Sequence, residues 1–167
     1  MTVQRILLLG NPLLYEKSEP VTEDELEKIP LIIQDLHDTL LDFRDKHGAG
    51  RAIAAPQIGV MKRIIYMNVG TPITFINPEL VEKSAEMMEV WDDCMCFPEL
   101  LVRVMRHQTC RINYADPNWN SQSMYLEGDL SELLQHEYDH LDGILAVDRA
   151  TDTRSICYKC EVQSLVQ

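Results

Sequence analysis

Residues 135–140 read Gln-His-Glu-Tyr-Asp-His. On a helix His136 and His140 lie one turn apart and project from one face. That spacing lets two imidazoles grip one small tetrahedral ion, with Glu137 beside them to manage the proton of a bound water. A divalent ion lowers the pKa of such a water, so hydroxide exists near neutral pH. The competing reading is an acidic helix face that carries two imidazoles and no metal. Two ligands do not complete a catalytic site, which needs a third and leaves a further position for water. The stretch Trp-Asp-Asp-Cys-Met-Cys-Phe-Pro, residues 91–98, offers Cys94 and Cys96. Residues two apart in an extended segment point the same way, so spacing does not choose between them. Either thiol could also be structural. A third stretch, GRAIAAPQIG at residues 50–59, is rich in small residues that permit close backbone approach. Its Gln57 is a neutral donor suited to a developing oxyanion. Read alone, the stretch is a tight helix-to-strand connection.

These residues need elements to hold them. Thr22 to Glu25 fits a capping box and predicts a short helical turn. Pro30 belongs in a first turn, so the main N-terminal helix is expected from about Pro30 to His47. Its apolar stripe is Ile33, Leu36, Leu40 and Phe43, and Gly48 is its stop. Short runs bounded by turn formers predict strands at 63–69, 73–78, 87–91, 100–106, 110–116 and 122–128. A second helix is expected over Asp129 to Leu141, ended by Gly143. The expected fold is α+β, mostly antiparallel β-sheets packed around a central helix carrying the two histidines, with an N-terminal helix. The chain after Thr151 gives no reading.

At 167 residues the chain is expected to form one domain, 1–167, with the motif-bearing region over about 6–150. Apolar residues make up 46% and charged residues 25%, which argues against wholesale disorder. A net charge of −12 disfavours nucleic-acid or anionic-membrane binding, which needs a basic face. No apolar run approaches membrane-spanning length, and the first residues lack a signal-peptide pattern, so a cytoplasmic location is expected. The 5 cysteines are odd in number and irregularly spaced, which fits free thiols in a reducing compartment.

Taken together, GRAIAAPQIG, DDCMC and QHEYDHLDG resemble, in order and spacing, the three motifs of the peptide deformylase family. LLGNPLL near the start, FINP at 75–78 and HLDGILAVDR after the last motif match as well. The resemblance implies a metal-dependent hydrolase that removes the formyl group from the N-terminal methionine of new polypeptides. Its implied ligands are Cys94, His136 and His140, with Cys96 in the place of the motif's serine. The implied cofactor is one divalent ion, ferrous iron in cells, with zinc or nickel as substitutes. Glu137 is the implied general acid and base, and Gln57 and the Met95 backbone N–H the oxyanion donors. Arg106 is implied to pair with Asp139 and steady the helix. The implied partners are N-formylated nascent peptides at the ribosome exit, with no nucleic acid and no membrane.

The sequence departs from that family where the substrate would lie. Gly50-Arg51-Ala52 replaces a Gly-x-Gly, and Asp92 and Asp93 replace the second motif's glutamate and glycine, changes expected to bear on the groove. The expected groove residues are Gly50, Arg51, Ala52, Ile53, Asp92, Asp93, Asp129, Glu132 and Leu133. Arg51, Asp129 and Glu132 stand where the family has an apolar pocket for methionine. A buried charge without a partner is costly, so Arg51 is expected to pair with Glu132 across the pocket floor. The competing reading has Asp129 capping the helix and the other two in solvent. If the pair forms, the preferred first residue shifts from methionine. Alternative functions are a same-fold metallo-amidase with another formylated substrate and a non-catalytic metal-binding homologue. A general peptidase of the His-Glu-x-x-His type is a weaker one. The Cys157-x-x-Cys160 pair lacks the context for zinc or redox work. His37, His47 and His107 are read as ordinary polar positions, and Trp91 and Phe97 as core.

Overall fold

The computed structural model describes residues 3–162. Within them the chain is α+β, with eight strands in two antiparallel sheets. The main N-terminal helix, α1, spans Ile29–His47 after a 3-10 turn at Glu23–Lys28, where the Thr22 N–H donates to Glu25 at 3.0 Å. Gly48 stops α1 in the left-handed region at φ 67°, its N–H donating to the Arg44 carbonyl. The strands are β1 (Ala52–Ala54), β2 (Ile64–Asn68), β3 (Pro72–Val81), β4 (Met87–Asp92), β5 (Leu100–His107), β6 (Thr109–Ala115), β7 (Ser121–Glu127) and β8 (Ile156–Tyr158). The first sheet runs β1-β2-β3-β6-β7 and the second β4-β5-β8. The second helix, α2, spans Asp129–Leu141, and a short α3 spans Lys159–Val162.

Two strands escaped the sequence. In β1 every residue is buried, so no alternation betrays it; Ala52, Ile53 and Ala54 pair with Met67, Tyr66 and Ile65. In β8 the chain after Thr151 returns to pair with β5, setting Leu101 opposite Cys157. β3 also runs past its expected end through an irregularity between Ile76 and Glu79. Asn77 sits there at φ 47°, a region its short polar side chain tolerates. It exchanges hydrogen bonds with the Val21 backbone, at 2.8 and 2.9 Å, and so ties the N-terminal segment to the sheet.

α2 lies between the sheets against β1, β5 and β7. Nine of its residues are buried, five of them Gln135, His136, Glu137, Asp139 and His140. An amphipathic helix normally keeps such groups in water. Buried here, each must find a partner, and the leftover ones mark the chemistry. Ser131 Oγ donates to the His107 carbonyl at 2.8 Å, and Gln135 accepts from the His107 N–H at 3.0 Å while its amide donates to the same carbonyl at 2.9 Å. These bonds fasten α2 to the end of β5.

At its far end α2 closes on the N-terminal segment. The Ser18 N–H and Arg63 both donate to the Leu141 carbonyl, at 2.9 and 3.1 Å. Gly143 follows at φ +71°, and a Cβ there would meet the Tyr15 carbonyl oxygen at 2.5 Å. Gly143→Ala is therefore expected to cost more than about 1 kcal/mol, read as a lower urea midpoint with an unchanged slope. An unshifted midpoint would mean the Tyr15 backbone yields freely.

Candidate active site

The site forms where α2, the turn after β4 and the 3-10 turn Ala55–Ile58 meet. His140 Nε2 lies 3.2 Å from His136 Nε2 and 3.3 Å from Cys94 Sγ. All three residues are buried, and their ligand atoms lie within 4.8 Å of one another. A tetrahedral ion with nitrogen at about 2.0–2.1 Å and sulfur at about 2.3 Å separates such atoms by about 3.4–3.6 Å. The donor set of two imidazoles and one thiol, gathered this tightly, fits a zinc- or iron-sized divalent ion. Cys96 lies outside this ligand group. Its backbone N–H instead faces Cys94 Sγ at 3.4 Å. Geometry thus favours Cys94 where strand periodicity left the choice open. Cys94→Ala is expected to abolish stoichiometric metal uptake and Cys96→Ser to preserve it, measured by metal analysis after dialysis; equal loss in both would put the two thiols on the same footing.

The His136 ring is set from behind. Its Nδ1 lies 2.8 Å from Asp92 Oδ1, and the other Asp92 oxygen accepts from Arg106 at 2.7 Å. Arg106 also reaches Asp139, which Arg149 grips from the outside with Nε and Nη2. With Nδ1 facing a carboxylate, the Nε2 lone pair points to the ligand cluster. Burial opposes ionisation of Asp92, but His136 and then Arg106 hold its carboxyl down at about 2. Burial also opposes the charged imidazole of His136, which Asp92 overrides, pushing it up to about 9 without an ion. His140, buried beside His136, is driven well below its usual range. Burial and the adjacent Cys96 push the Cys94 thiol well above its ordinary value. A thiolate at Cys94 would therefore need a cation beside it.

Glu137 is 3% exposed, and its Oε2 has no hydrogen-bond partner among the described residues. Burial raises its carboxyl to about 7. Gln57 is held in one orientation: Oε1 accepts from the Ala54 N–H at 2.7 Å, so Nε2 must face Cys94 and Cys96, 3.6 Å from each sulfur. The N-terminal segment braces both sides, the Leu7 N–H donating to the Gln57 carbonyl at 2.8 Å and the Leu9 N–H to the Cys96 carbonyl at 2.9 Å.

A cavity of about 290 Å³ opens on these groups, with Gln57, Met95, His136 and Glu137 on its inner wall. Gly50, Arg51, Ala52, Asp93, Glu132 and Leu133 line it too. Arg51 and Glu132 do pair, Nη2 to Oε2 at 3.0 Å. Three expected groove residues sit elsewhere or do something else. Ile53 is fully buried in the core against α1, because side chains alternate along β1 and it is Ala52 that lines the cavity. Asp129 is exposed, since seven residues carry it about 10.5 Å up the helix axis from His136. It is the first residue of α2, behind Gly128, and is not the cap. Asp92 touches the cavity, but its carboxylate belongs to His136 and Arg106. Sequence reading also missed Phe43 and Lys159 on the wall. Phe43 belongs to an ordinary core stripe, and Lys159 lies in the unread tail, where it pairs with Asp93 at 2.8 Å. Trp91, expected in the core, is 40% exposed with Arg103 over its ring, whereas Phe97 is buried. His37 contacts the Tyr66 hydroxyl at 2.6 Å and His47 stacks on Phe43. Cys157 and Cys160 are free thiols.

The sequence model of polypeptide deformylase matches residues 3–155. The chain belongs to the polypeptide deformylase family. Peptide deformylase from Thermotoga petrophila is 31% identical over 166 residues, covering 98% of this chain and 96% of that one. The crystal structure of peptide deformylase from Thermotoga maritima superposes with a TM-score of 0.82 at 32% identity, covering 91% of this chain and 100% of its own. A class I type b peptide deformylase from Acinetobacter baumannii, solved with Met-Ala-Ser bound, matches with a TM-score of 0.81 at 28% identity, covering 89% of this chain and 99% of its own. Deformylases are metal-dependent hydrolases of formyl-methionyl peptides, and this chain is one of that family of enzymes. No helix among the described residues is long and apolar enough to cross a membrane.

Proposed function

We propose that this chain deformylates new polypeptides at the cavity, within a single catalytic domain, in the cytoplasm and near the ribosome exit. The observation that carries the reading is the tight cluster of Cys94 Sγ, His136 Nε2 and His140 Nε2 beside an unpartnered Glu137 oxygen and an aimed Gln57 amide. Cys94, His136 and His140 would hold one divalent ion, ferrous iron in cells, with zinc or nickel able to replace it. Such an ion supplies the charge that makes water acidic near neutral pH and polarises a carbonyl.

The chain's own residues do the rest. Glu137 takes a proton from the attacking water as its oxygen bonds to the formyl carbon. Gln57 Nε2 and the Met95 N–H donate to the carbonyl oxygen as it gains charge. The carbon–nitrogen bond then breaks, Glu137 gives its proton to the leaving amine, and formate and a free amino terminus result. Arg106, Asp92 and Asp139 keep His136 and the helix in register.

The direct test is formate release from formyl-Met-Ala-Ser under anaerobic conditions by ferrous-loaded protein. Release that stops on chelation and returns with metal is expected. A fully metallated protein that frees no formate would overturn the reading, and the non-catalytic alternative would take its place.

A further inference from the structure

The cavity beside the reacting centre carries an ion pair on its wall. Arg51 and Glu132 meet through one contact, Nη2 to Oε2 at 3.0 Å. That contact occupies one of the guanidinium's five donors and one carboxylate oxygen. The Glu132 side chain is only 13% exposed, whereas that of Arg51 is 45% exposed and reaches it from the loop before β1. Glu132 stands one helical turn before the ligand His136, on the same face of α2. The formyl carbon is two bonds from the first residue's Cα, so a substrate held at Glu137 and Gln57 places its first side chain against this wall. Phe43, Ala49, Ala52, Met95 and Leu133 supply apolar lining.

Resting on the deformylase reading, we infer that the Arg51–Glu132 pair makes this pocket select N-formyl peptides whose first side chain ends in a carboxamide. The pair presents a donor and an acceptor side by side. A carboxamide offers the complementary acceptor and donor and is uncharged. A carboxylate side chain would face Glu132, with Asp92 behind it, and an ammonium would face Arg51. A thioether satisfies neither group and displaces the water that hydrates them. Because the pair satisfies itself, methionine meets no orphaned charge, so the discrimination is graded and not absolute.

The experiment compares kcat/KM for formyl-Gln-Ala-Ser and formyl-Met-Ala-Ser on metal-loaded wild type, Glu132→Gln and Arg51→Ile/Glu132→Ile. Calorimetric Kd values for Gln-Ala-Ser and Met-Ala-Ser give a readout separate from turnover. Wild type is expected to process the glutamine substrate at least as well as the methionine one. The double variant is expected to shift the ratio towards methionine by about tenfold or more, chiefly through KM. The Kd ratio should move the same way. Glu132→Gln, which keeps side-chain volume, should show a smaller shift in the same direction and keeps the question open to test if the double variant fails to fold. Wild type that hydrolyses the methionine substrate a hundredfold better, or ratios indifferent to both variants, would overturn the inference and leave the deformylase reading standing. Hydrolysis of neither substrate would overturn both.

Discussion

Glu137→Gln is expected to lower kcat for formate release by about 10²–10⁴-fold while one metal ion per chain is retained. The substitution keeps the shape of the side chain and removes its capacity to carry a proton. Glu137 is proposed for that role because it is buried, stands beside His136 of the candidate metal group and leaves Oε2 without a hydrogen-bond partner among the described residues. Burial raises its carboxyl to about 7, so both protonation states are populated near neutral pH, which suits a group that must accept and then return a proton. Among the described residues the other carboxylates on the cavity wall are already engaged, Asp92 with Arg106, Asp93 with Lys159 and Glu132 with Arg51. A variant that keeps activity within tenfold, with metal content unchanged, would move the proton carrier elsewhere. Because Glu137 lies next to a ligand, metal analysis must accompany the kinetics.

Arg106→Met is expected to be the most damaging substitution away from the ligands. The Arg106 side chain is 3% exposed and lies between Asp92 and Asp139, also nearly inaccessible. Removing it leaves a buried Asp92 carboxylate with only an imidazole to answer it. Breaking a buried ion pair from one side costs about 3–5 kcal/mol. In a chain of this size each kcal/mol lowers Tm by about 2–4 °C. Thermal unfolding in the presence of chelator reads that cost without a contribution from metal binding. The same variant should weaken metal binding by about 10–100-fold, since Asp92 orients His136. Lys46→Met is the control, because the Lys46 side chain is 64% exposed and pairs with Asp42 one helical turn away. Such pairs contribute under about 1 kcal/mol. If the two variants lower Tm equally, the buried network contributes no more than a surface pair.

How far the sequence reached depends on what each residue announces locally. The four-residue spacing of His136 and His140 defines a helix face, and α2 is where the pattern put it. Capping at Thr22 and the left-handed stop at Gly48 are equally local. Strands β1 and β8 were missed because Ala52–Ala54 is buried on both faces, and Ile156–Tyr158 pairs only through a return of the chain. The choice of Cys94 over Cys96 is also non-local, since it turns on where His140 lies. Asp92 was read as a groove residue because a carboxylate in a motif looks like a contact for substrate. Its actual partners come from β5 and α2, separated from it by 14 and 44 positions in the sequence. The Arg51–Glu132 pair, 81 residues apart, was legible because two charges in an apolar setting need each other.

The ion pairs around the cavity differ in how they meet dissolved salt. Mobile ions screen charge over about 8 Å at physiological ionic strength, but only where they can enter. Asp93 and Lys159, with side chains 47% and 34% exposed, are open to them; Arg106, Asp92 and Asp139 are not. Rising salt therefore loosens the pair between α3 and the cavity wall far more than the buried contacts that Arg106 makes behind His136. A concentrated brine would act on the doorway of this enzyme and leave its centre untouched.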